Sequence, residues 1–187
     1  MIFNSLSEVY SENERVLHLL VSRTGSLSDG CEDLRSAGGW SITQIVEHIA
    51  LVDLQLLKVI EILLHKAESG SKSLSAEKGF PIDIETLVQR SRKEKYVARE
   101  NAQPVNGFSI RQSLDEIVAM NRTLESLRQR LEAVDLSSAV LPHWIFGPLT
   151  LGEWLVFVGV HEERHLEQLK RILESGNLAA PDSLTSR

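Results

Sequence analysis

Two histidines four residues apart, His161 and His165 in the segment HEERH, are the first residues in this sequence that could do chemistry. The flanking stretches WLVFVGV and LEQLKRIL have helical periodicity, which places the two imidazoles about 40° apart on an inward face. Residues with this spacing can present ring nitrogens to one ion at about 2.0–2.1 Å. The alternative is that each ring bonds to a neighbouring side chain or carbonyl, because an unpaired buried imidazole costs about 1–3 kcal/mol.

A third histidine, His48, is predicted to face inward from another helix. In WSITQIVEHIALVDLQLLKVIEIL it shares a side with apolar residues such as Ile45, whereas Glu47 falls elsewhere around the helix. In antiparallel helices of about 36 Å, His48 lies at a depth compatible with that of His161 and His165. Three neutral imidazoles would leave a position open on a divalent ion, as in catalytic sites.

All-nitrogen ligation favours zinc in our interpretation, then nickel, with iron or copper as further alternatives. At the open position, water would have its pKa lowered from about 15.7 towards 7, and a thiol would be deprotonated. Hydrolysis and thiol transfer both follow from such a site. Neither Glu162 nor Glu163 is well aimed to act as its acid or base. The missing base favours thiol transfer.

Four other polar residues are candidates for the pocket or for catalysis. Gln168 lies on the face of the ligand histidines, where it would orient a ring or a substrate, or merely close a core hydrogen bond. Asn13 and Asn121 are amides within or beside apolar faces, and a satisfied core amide is the alternative for each. His143, in the predicted loop LPHWIFGPLT, would cover the pocket mouth or pack on its aromatic neighbours.

Four predicted helices must position these residues, and each opens with the same start signal. A serine or threonine is followed three residues later by glutamate or glutamine, and such a pair satisfies free backbone donors of the first turn. The pairs are Ser5 with Glu8, Ser41 with Gln44, Ser109 with Gln112, and Thr150 with Glu153. The four helices are predicted to end at about Ser22, Lys66, Ala133 and Ser175.

These helices predict an all-α protein, a four-helix bundle in up-down-down-up order. Strand signals are nearly absent. A long crossover joins helices two and three: the loop SGSKSLSAEKGFP, a short extra helix from Asp83 to about Arg99, and the connector 104–107. A long connection allows sequential helices to run in the same direction. We expect a single domain over 1–187, with a core of about 5–175 and a flexible tail, 176–187.

Composition restricts the expected partners. The formal charge of -6 disfavours nucleic-acid binding, and the basic run 89–99 is typical of a solvated helix face, with an anionic substrate or partner as the alternative. No apolar run is long enough to span a membrane and the start lacks signal-peptide features, so we expect a cytoplasmic protein without a membrane partner.

A single cysteine, Cys31, allows no internal disulfide. His18 and His65 are predicted to be surface residues.

Two motifs, GGWSITQIVEHIALVD and FGPLTLGEWLVFVGVHEERHLEQLKRI, resemble the DinB-like or YfiT-like superfamily. The resemblance covers most of residues 40–175 and implies a four-helix bundle of the kind described as metal-dependent hydrolases, with relatives that transfer bacillithiol, mycothiol or glutathione. The W-S-x6-H and H-x2-R-H-x2-Q elements of the family supply three ligand histidines, here His48, His161 and His165. Other matching positions are Trp40, Ser41, Asp53, Trp154, Arg164 and Gln168. A homodimer acting on a small molecule is also implied.

The leading hypothesis is a metal-dependent enzyme that transfers a low-molecular-weight thiol cosubstrate to a small molecule, or hydrolyses one. The alternative is a non-catalytic bundle in which the metal staples helices two and four, serving as a binding or stress-response module. An open coordination position would favour the enzyme, and a fourth protein ligand would favour the staple. Without a metal, the histidines would bond to Gln44, Gln168 or backbone carbonyls.

Overall fold

The computed structural model describes residues 1–27, 30–36, 39–70, 79–85, 87–89 and 97–178. Besides the helical residues 85 and 87–89, the described ranges contain four long helices and one short helix: α1 (Leu6–Gly25), α2 (Ile42–Gly70), α3 (Ile110–Ser126), the short α4 (Arg128–Glu132) and α5 (Leu151–Leu178). Single 3-10 turns occur at Cys31–Asp33 and Glu100–Ala102. Two small antiparallel sheets pair β1 (Ile2–Phe3) with β2 (Ile82–Asp83), and β3 (Val140–His143) with β4 (Gly147–Thr150).

Contacts between the long helices establish their relative directions. The contacts are Asn13 with Leu155 and Arg15 with Glu163 between α1 and α5, His48 with His165 and Lys66 with Val140 between α2 and the β3–α5 segment, Tyr10 with Leu124 and Ser7 with Arg128 between α1 and the α3–α4 segment, and Glu47 with Asn106 and Glu68 with Arg130 between α2 and the segment around α3. Therefore α1 runs parallel to α5, and α2 and α3 run opposite to both. The predicted four-helix bundle with up-down-down-up order is confirmed.

The predicted start signals are present at all four long helices. Both reciprocal hydrogen bonds form in the pairs Ser41 with Gln44, Ser109 with Gln112, and Thr150 with Glu153. At α1 the backbone N–H of Glu8 donates to the Ser5 hydroxyl at 3.2 Å, but the Glu8 carboxylate accepts from the Asn4 N–H at 2.8 Å. The ends differ more than the starts, since α1, α2 and α5 run beyond their predicted last residues and the predicted third helix divides at Leu127.

The β3–β4 hairpin replaces the loop predicted before the last helix. Its register places Pro142 opposite Pro148. The Leu151 N–H donates to the Ala139 carbonyl at the base of the hairpin, and alternation along the ladder then makes the proline pair a non-hydrogen-bonded one. Two prolines therefore fit without removing a ladder donor. Gly147 has a φ of 81° at the turn, a conformation that glycine adopts without strain.

Parts of the predicted crossover and tail lie outside the described residues. Residues 85 and 87–89 of the predicted extra helix are helical and 97–99 are not, while 86 and 90–96, with most of the basic run, are among the residues not described. The helix α5 continues to Leu178, beyond its predicted end at Ser175, and 179–187 fall outside the described part, so the flexible tail stays a prediction. None of the helices in the described ranges is long and apolar enough to cross a membrane.

Two apolar clusters fill the interior of the bundle, and they meet at the level of the histidines. On α2 the smaller cluster ends at Ala50 and the larger one begins at Leu56. On α5 the larger cluster ends at Val160 and the smaller one begins at Leu166. Because α2 and α5 are antiparallel, these two boundaries face each other. The bundle thus carries a layer of buried polar side chains between two apolar ones.

Candidate metal site

His48, His161 and His165 come together in the polar layer between the apolar clusters. Their potential ligand nitrogens all lie within 4.8 Å of one another. The ring centroids are 4.7 to 5.3 Å apart, and the exposed fractions of the three residues are 6%, 8% and 2%. The four-residue spacing on α5 puts two rings on one face, and the antiparallel α2 brings the third to the same depth. The structure therefore gathers the three histidines that the sequence singles out.

Hydrogen bonds fix which nitrogen carries the proton in two of the three rings. Nδ1 of His48 lies 2.7 Å from the carbonyl oxygen of Ala102. Nδ1 of His165 lies 2.9 Å from Oε1 of Gln168. Both oxygens can only accept, so each Nδ1 carries the proton and each Nε2 keeps its lone pair. Partners of this kind orient metal-binding histidines in proteins.

The third ring has a different neighbour. Nδ1 of His161 lies 4.0 Å from Oδ1 of Asp53. No other group in the described part of the chain makes a hydrogen bond to that nitrogen. With Nδ1 turned towards the carboxyl group, Nε2 is the nitrogen on the opposite side of the ring. All three imidazoles can therefore direct Nε2 to a common point.

Electrostatics keeps these rings neutral. Burial lowers the pKa of His48, His161 and His165, and the nearby guanidinium of Arg164 lowers each of them further. A proton on one ring also disfavours a proton on the next, because the His161 pKa is lowered by both neighbouring histidines. Neutral imidazoles are the form that binds metals, so the lone pairs are available at neutral pH.

The donor set fits a divalent ion. Ligands at 2.0–2.1 Å around a tetrahedral ion are roughly 3.3 Å apart, so rings whose donors lie within 4.8 Å need only a small inward movement. No fourth histidine, cysteine, aspartate or glutamate joins this group within the described ranges. Three buried histidines could thus hold a divalent metal and leave a position for a non-protein ligand.

Arg164 lies on the ligand side of the site. Its Nη1 is 3.5 Å from Nε2 of His165, the nitrogen that has no proton. This residue is half-buried on α5, next to the last of the three histidines. A guanidinium stays charged at all relevant pH values and binds anions. An anionic ligand in the open position would therefore be stabilised by Arg164.

A buried pair of carboxyl groups, Asp53 and Glu162, lies behind His161. Both side chains are fully buried, and no N–H or O–H of the described residues donates to their oxygens in hydrogen-bond geometry. Burial, and then the neighbouring Glu162, raise the pKa of Asp53 well above its ordinary value. Burial raises the pKa of Glu162 to about 7, against the opposing effects of Asp53 and the Asn121 amide. A hydrogen bond between the two carboxyls requires that one be protonated.

The sequence gives no role to either carboxyl group. An acidic residue inside the apolar run ALVDLQLL is a signal that could have identified Asp53. The helical periodicity leaves Glu162 beside the ligand face, yet its side chain is completely enclosed because several sides of α5 are covered. Glu163, by contrast, points outward and forms a 3.1 Å ion pair with Arg15.

The connector that runs from the 3-10 turn Glu100–Ala102 to the start of α3 is a further part of the site that sequence reasoning missed. The sequence predicts Glu47 on the outside of α2, but in the structure only 1% of this residue is exposed. Its Oε1 accepts a hydrogen bond of 2.7 Å from the backbone N–H of Asn106. The same connector supplies the Ala102 carbonyl to His48. The connector therefore covers a side of α2 that a helical wheel treats as exposed.

Three of the four candidate residues, Gln168, Asn13 and Asn121, make different contacts in the structure. Gln168 orients the ring of His165. Asn13 is a buried core amide, because its Nδ2 donates to the Leu155 carbonyl at 3.0 Å. Asn121 is half-buried and donates to the Ile117 carbonyl at 3.1 Å, so it acts on the site only through Glu162. These contacts give neither Asn13 nor Asn121 a place among the ligand nitrogens.

His143, at the end of β3, packs on its aromatic neighbours. Its Nδ1 accepts from the backbone N–H groups of Ile145 and Phe146 at 3.1 and 3.3 Å. Its ring lies 4.8 Å from Phe146, 5.1 Å from Phe157 and 5.3 Å from Trp154, centroid to centroid. Burial lowers its pKa to about 4. Phe157 in turn lies against the ring of His161, so the hairpin's aromatic side chains continue up to the site.

Trp154 and Trp40 pack inside or at the edge of the bundle, and the two histidines predicted at the surface are found there. Trp154 is a buried core residue whose Nε1 donates to the Leu141 carbonyl at 3.3 Å. Trp40 is half-buried, with its ring 4.8 Å from that of His48. His18 and His65 are exposed. Neither exposed histidine takes part in the cluster.

Comparison with known proteins agrees with this architecture. The chain is 30% identical over 145 residues to the uncharacterized protein YuaE of Bacillus subtilis (strain 168), covering 74% of this chain and 80% of that protein. The crystal structure of TT2238, a four-helix bundle protein, is similar in fold, with a TM-score of 0.56 and 20% identity over 89% of this chain and 99% of that one. The family model of the DinB superfamily matches residues 12–169. The chain belongs to the DinB superfamily.

Proposed function

We propose that the protein is a metal-dependent enzyme that transfers a low-molecular-weight thiol to a small electrophilic molecule. The observation that carries this proposal is the convergence of His48, His161 and His165 without a fourth protein ligand in the described part of the chain. Zinc is the first choice of metal and nickel the second, because all three ligands are imidazole nitrogens. The substrate is a small molecule.

A divalent ion held by these histidines would lower the pKa of a bound thiol or water. The chain's own residues do the rest. Ala102 and Gln168 hold the His48 and His165 rings so that Nε2 faces the ligand position. Arg164, 3.5 Å from Nε2 of His165, places a positive charge where a thiolate would lie. Phe157 and the hairpin's aromatic residues form an apolar side that would accept the carbon skeleton of a substrate.

Thiol transfer is favoured over hydrolysis because we find no proton acceptor on the ligand side of the described site. The guanidinium of Arg164 cannot take a proton. The Asp53 carboxyl lies on the Nδ1 side of His161, away from Nε2. Nδ1 of His143 already accepts two backbone N–H groups. In thiol transfer the S–H proton passes to solvent, a C–S bond forms, and the leaving group departs with its electron pair.

The proposal is tested by turnover of metal-loaded protein. Zinc-loaded wild type, the His48→Ala variant and the His65→Ala variant would be incubated with glutathione or bacillithiol and a panel of small electrophiles. We expect thiol consumption by wild type and His65→Ala, and none above background by His48→Ala. His65 is the matched control because it is an exposed histidine on the same helix. Ester cleavage without thiol, alongside no thiol transfer, would replace this proposal by hydrolysis.

A non-catalytic, metal-stapled bundle is the second candidate. The observation in its favour is that all three rings are at least nine-tenths buried, which restricts access to the ion. Titration of the Co²⁺-loaded protein with small thiols separates the two. A change in the cobalt absorption spectrum on adding thiol indicates an exchangeable ligand and favours the enzyme. A spectrum that no thiol changes favours the staple, acting as a binding or stress-response module.

A cytoplasmic location, pairing into a homodimer, and the absence of nucleic-acid and membrane partners stay predictions from the sequence and the resemblance. The acidic net charge of -6 is the main argument against nucleic acid. Size-exclusion chromatography with light scattering measures the oligomeric state directly.

A further inference from the structure

We infer that Asp53, held by Glu162, is a positioning residue of the metal site, which directs the His161 ring and supplies negative charge behind it. This inference rests on the proposed metal binding. It assigns a function to two fully buried carboxyl groups that come from different helices, Asp53 from α2 and Glu162 from α5.

The first support is an asymmetry among the three rings. His48 and His165 each have an acceptor for Nδ1–H within 2.9 Å, whereas Nδ1 of His161 has none among the described residues. The atom facing it, Oδ1 of Asp53 at 4.0 Å, also has no donor in that part of the chain. This gap is about 1 Å longer than a hydrogen bond. A small rotation of the ring would satisfy both buried atoms, and each would otherwise cost about 1–3 kcal/mol.

The second support is the charge around the pair. No N–H donor of the described residues, and so no lysine or arginine among them, makes a hydrogen bond to the oxygens of Asp53 or Glu162. Buried carboxylates without a cationic partner are costly, and proteins retain them where they bind or face a cation. The imidazole of His161, which can become cationic, faces Asp53 with its Nδ1 4.0 Å from Oδ1. A divalent ion on the far side of that ring would provide the missing positive charge.

The third support is the place of Glu162. It follows His161 directly in α5, so its backbone is fixed by the same helical turn. Its carboxyl neighbours that of Asp53 and raises the pKa of Asp53, and the Asn121 amide of α3 is near enough to lower the pKa of Glu162. Glu162 thus anchors Asp53 from one side while His161 lies on the other. Carboxylate–histidine–metal arrangements of this type typically change metal affinity by about 10–100-fold when the carboxylate is removed.

The test compares metal binding by wild type, Asp53→Asn and Glu162→Gln, using Zn²⁺ titration and the Co²⁺ absorption spectrum. We expect Asp53→Asn to bind Zn²⁺ about 10–100-fold more weakly, with a shifted cobalt spectrum. Glu162→Gln should weaken binding by less than tenfold, because its amide can still hold Asp53. The metal-free variants should unfold at about the wild-type temperature, because a neutral amide of the same shape replaces a buried carboxyl whose raised pKa favours the neutral form. A matched control is Thr24→Val, which changes a buried polar group on α1 that bonds to the Leu20 carbonyl.

Two results would overturn the inference. One is wild-type affinity and spectrum in Asp53→Asn; the other is a lowered unfolding temperature of the metal-free protein with unchanged affinity, which indicates a purely structural role. Should Asp53→Asn fail to fold, Glu162→Gln decides, and wild-type binding in that variant refutes the inference. Metal binding that survives His48→Ala would instead refute the proposed three-histidine site. Tight wild-type binding lost in His48→Ala but kept in Asp53→Asn rejects this inference alone.

Discussion

The two halves of α2 are both buried, but only the first half buries ionisable side chains among its apolar ones. From Ile42 to Asp53 the interior face includes Glu47 and His48 as well as Asp53 itself. From residue 56 to residue 67 every buried side chain is apolar. On α5 the order along the chain is reversed, with apolar residues up to 160 and the ionisable ones from 161 to 165. The antiparallel packing of the two helices therefore matches polar with polar and apolar with apolar.

The two halves of α2 therefore contribute differently. The apolar half mainly stabilises the fold, and the polar half carries the groups of the candidate metal site. Each leucine or isoleucine in the apolar half contributes about 1.5–3 kcal/mol by its burial. The ionisable groups of the polar half cost free energy unless each finds a partner. A layer of ionisable residues inside an otherwise apolar core typically marks a functional site.

The largest effect on folding is expected in the apolar half. Leu63→Ala removes a fully buried side chain from the larger cluster and should lower the free energy of unfolding by about 2–5 kcal/mol. Chemical denaturation measures this change, and Zn²⁺ titration should give the wild-type affinity. If Leu63→Ala lost Zn²⁺ affinity as well as stability, the apolar and polar halves of α2 would not act independently.

The largest effect on metal binding is expected in the polar half. His165→Ala should weaken Zn²⁺ binding by about 100-fold or more, because one of three ligands is lost, while the metal-free protein keeps its stability to within about 1 kcal/mol. Calorimetric titration measures the affinity and thermal unfolding the stability. The exposed His18→Ala serves as control. Wild-type affinity in His165→Ala would contradict the proposed ligand set.

A smaller effect is expected at the connector that covers the polar half. Glu47→Ala removes the acceptor of the Asn106 N–H and should cost about 1–3 kcal/mol. Because the same connector carries the Ala102 carbonyl bonded to His48, Zn²⁺ affinity should also fall, by a few-fold. Amide hydrogen exchange should become faster at residues 102–106 and stay unchanged in the apolar half of α2. Unchanged exchange in the connector would contradict this assignment.

The smallest effect concerns pH. The pKa of His165 is lowered from its ordinary value of 6.5, mainly by burial. Its neutral form therefore stabilises the fold above pH 6.5, and that stability is lost as the pH falls below this value, by up to about 1.4 kcal/mol per pH unit.

Wild-type stability, measured without metal, should accordingly fall more steeply from pH 6.5 to 5 than that of His165→Ala. The raised pKa values of Asp53 and Glu162 act in the opposite sense, because their stabilising protonated form is lost as the pH rises. This contribution is present in both proteins and cancels in the comparison. Parallel pH profiles would show that His165 does not titrate as a buried group.

The sequence predicts the bundle well because its signals are local. A hydroxyl side chain and an acceptor three residues later mark each helix start, as at Ser109 and Gln112, and depend on nothing distant. Periodicity likewise places His48, His161 and His165 on inward faces. Helix ends are harder, since Leu127 divides the third predicted helix without a glycine or proline to mark the division.

What the sequence misses depends on contacts between distant segments. Glu47 is buried only because the connector crosses α2, and a helical wheel contains no connector. Glu162 is buried against Asp53 from another helix. Prolines argue against strands, yet Pro142 and Pro148 share one pair that needs no donors. For Glu47 and Glu162 a partner far along the chain overrides the local pattern, and for the two prolines the register of the hairpin does.

X-ray absorption spectroscopy of the zinc-loaded protein tests the central claim most directly, because it counts the atoms around the ion. Three imidazole nitrogens at about 2.0–2.1 Å, with one further light atom that exchanges for sulfur when a thiol is added, are the predicted result. A coordination shell without the scattering pattern of three imidazoles would contradict the convergence of His48, His161 and His165 on one ion.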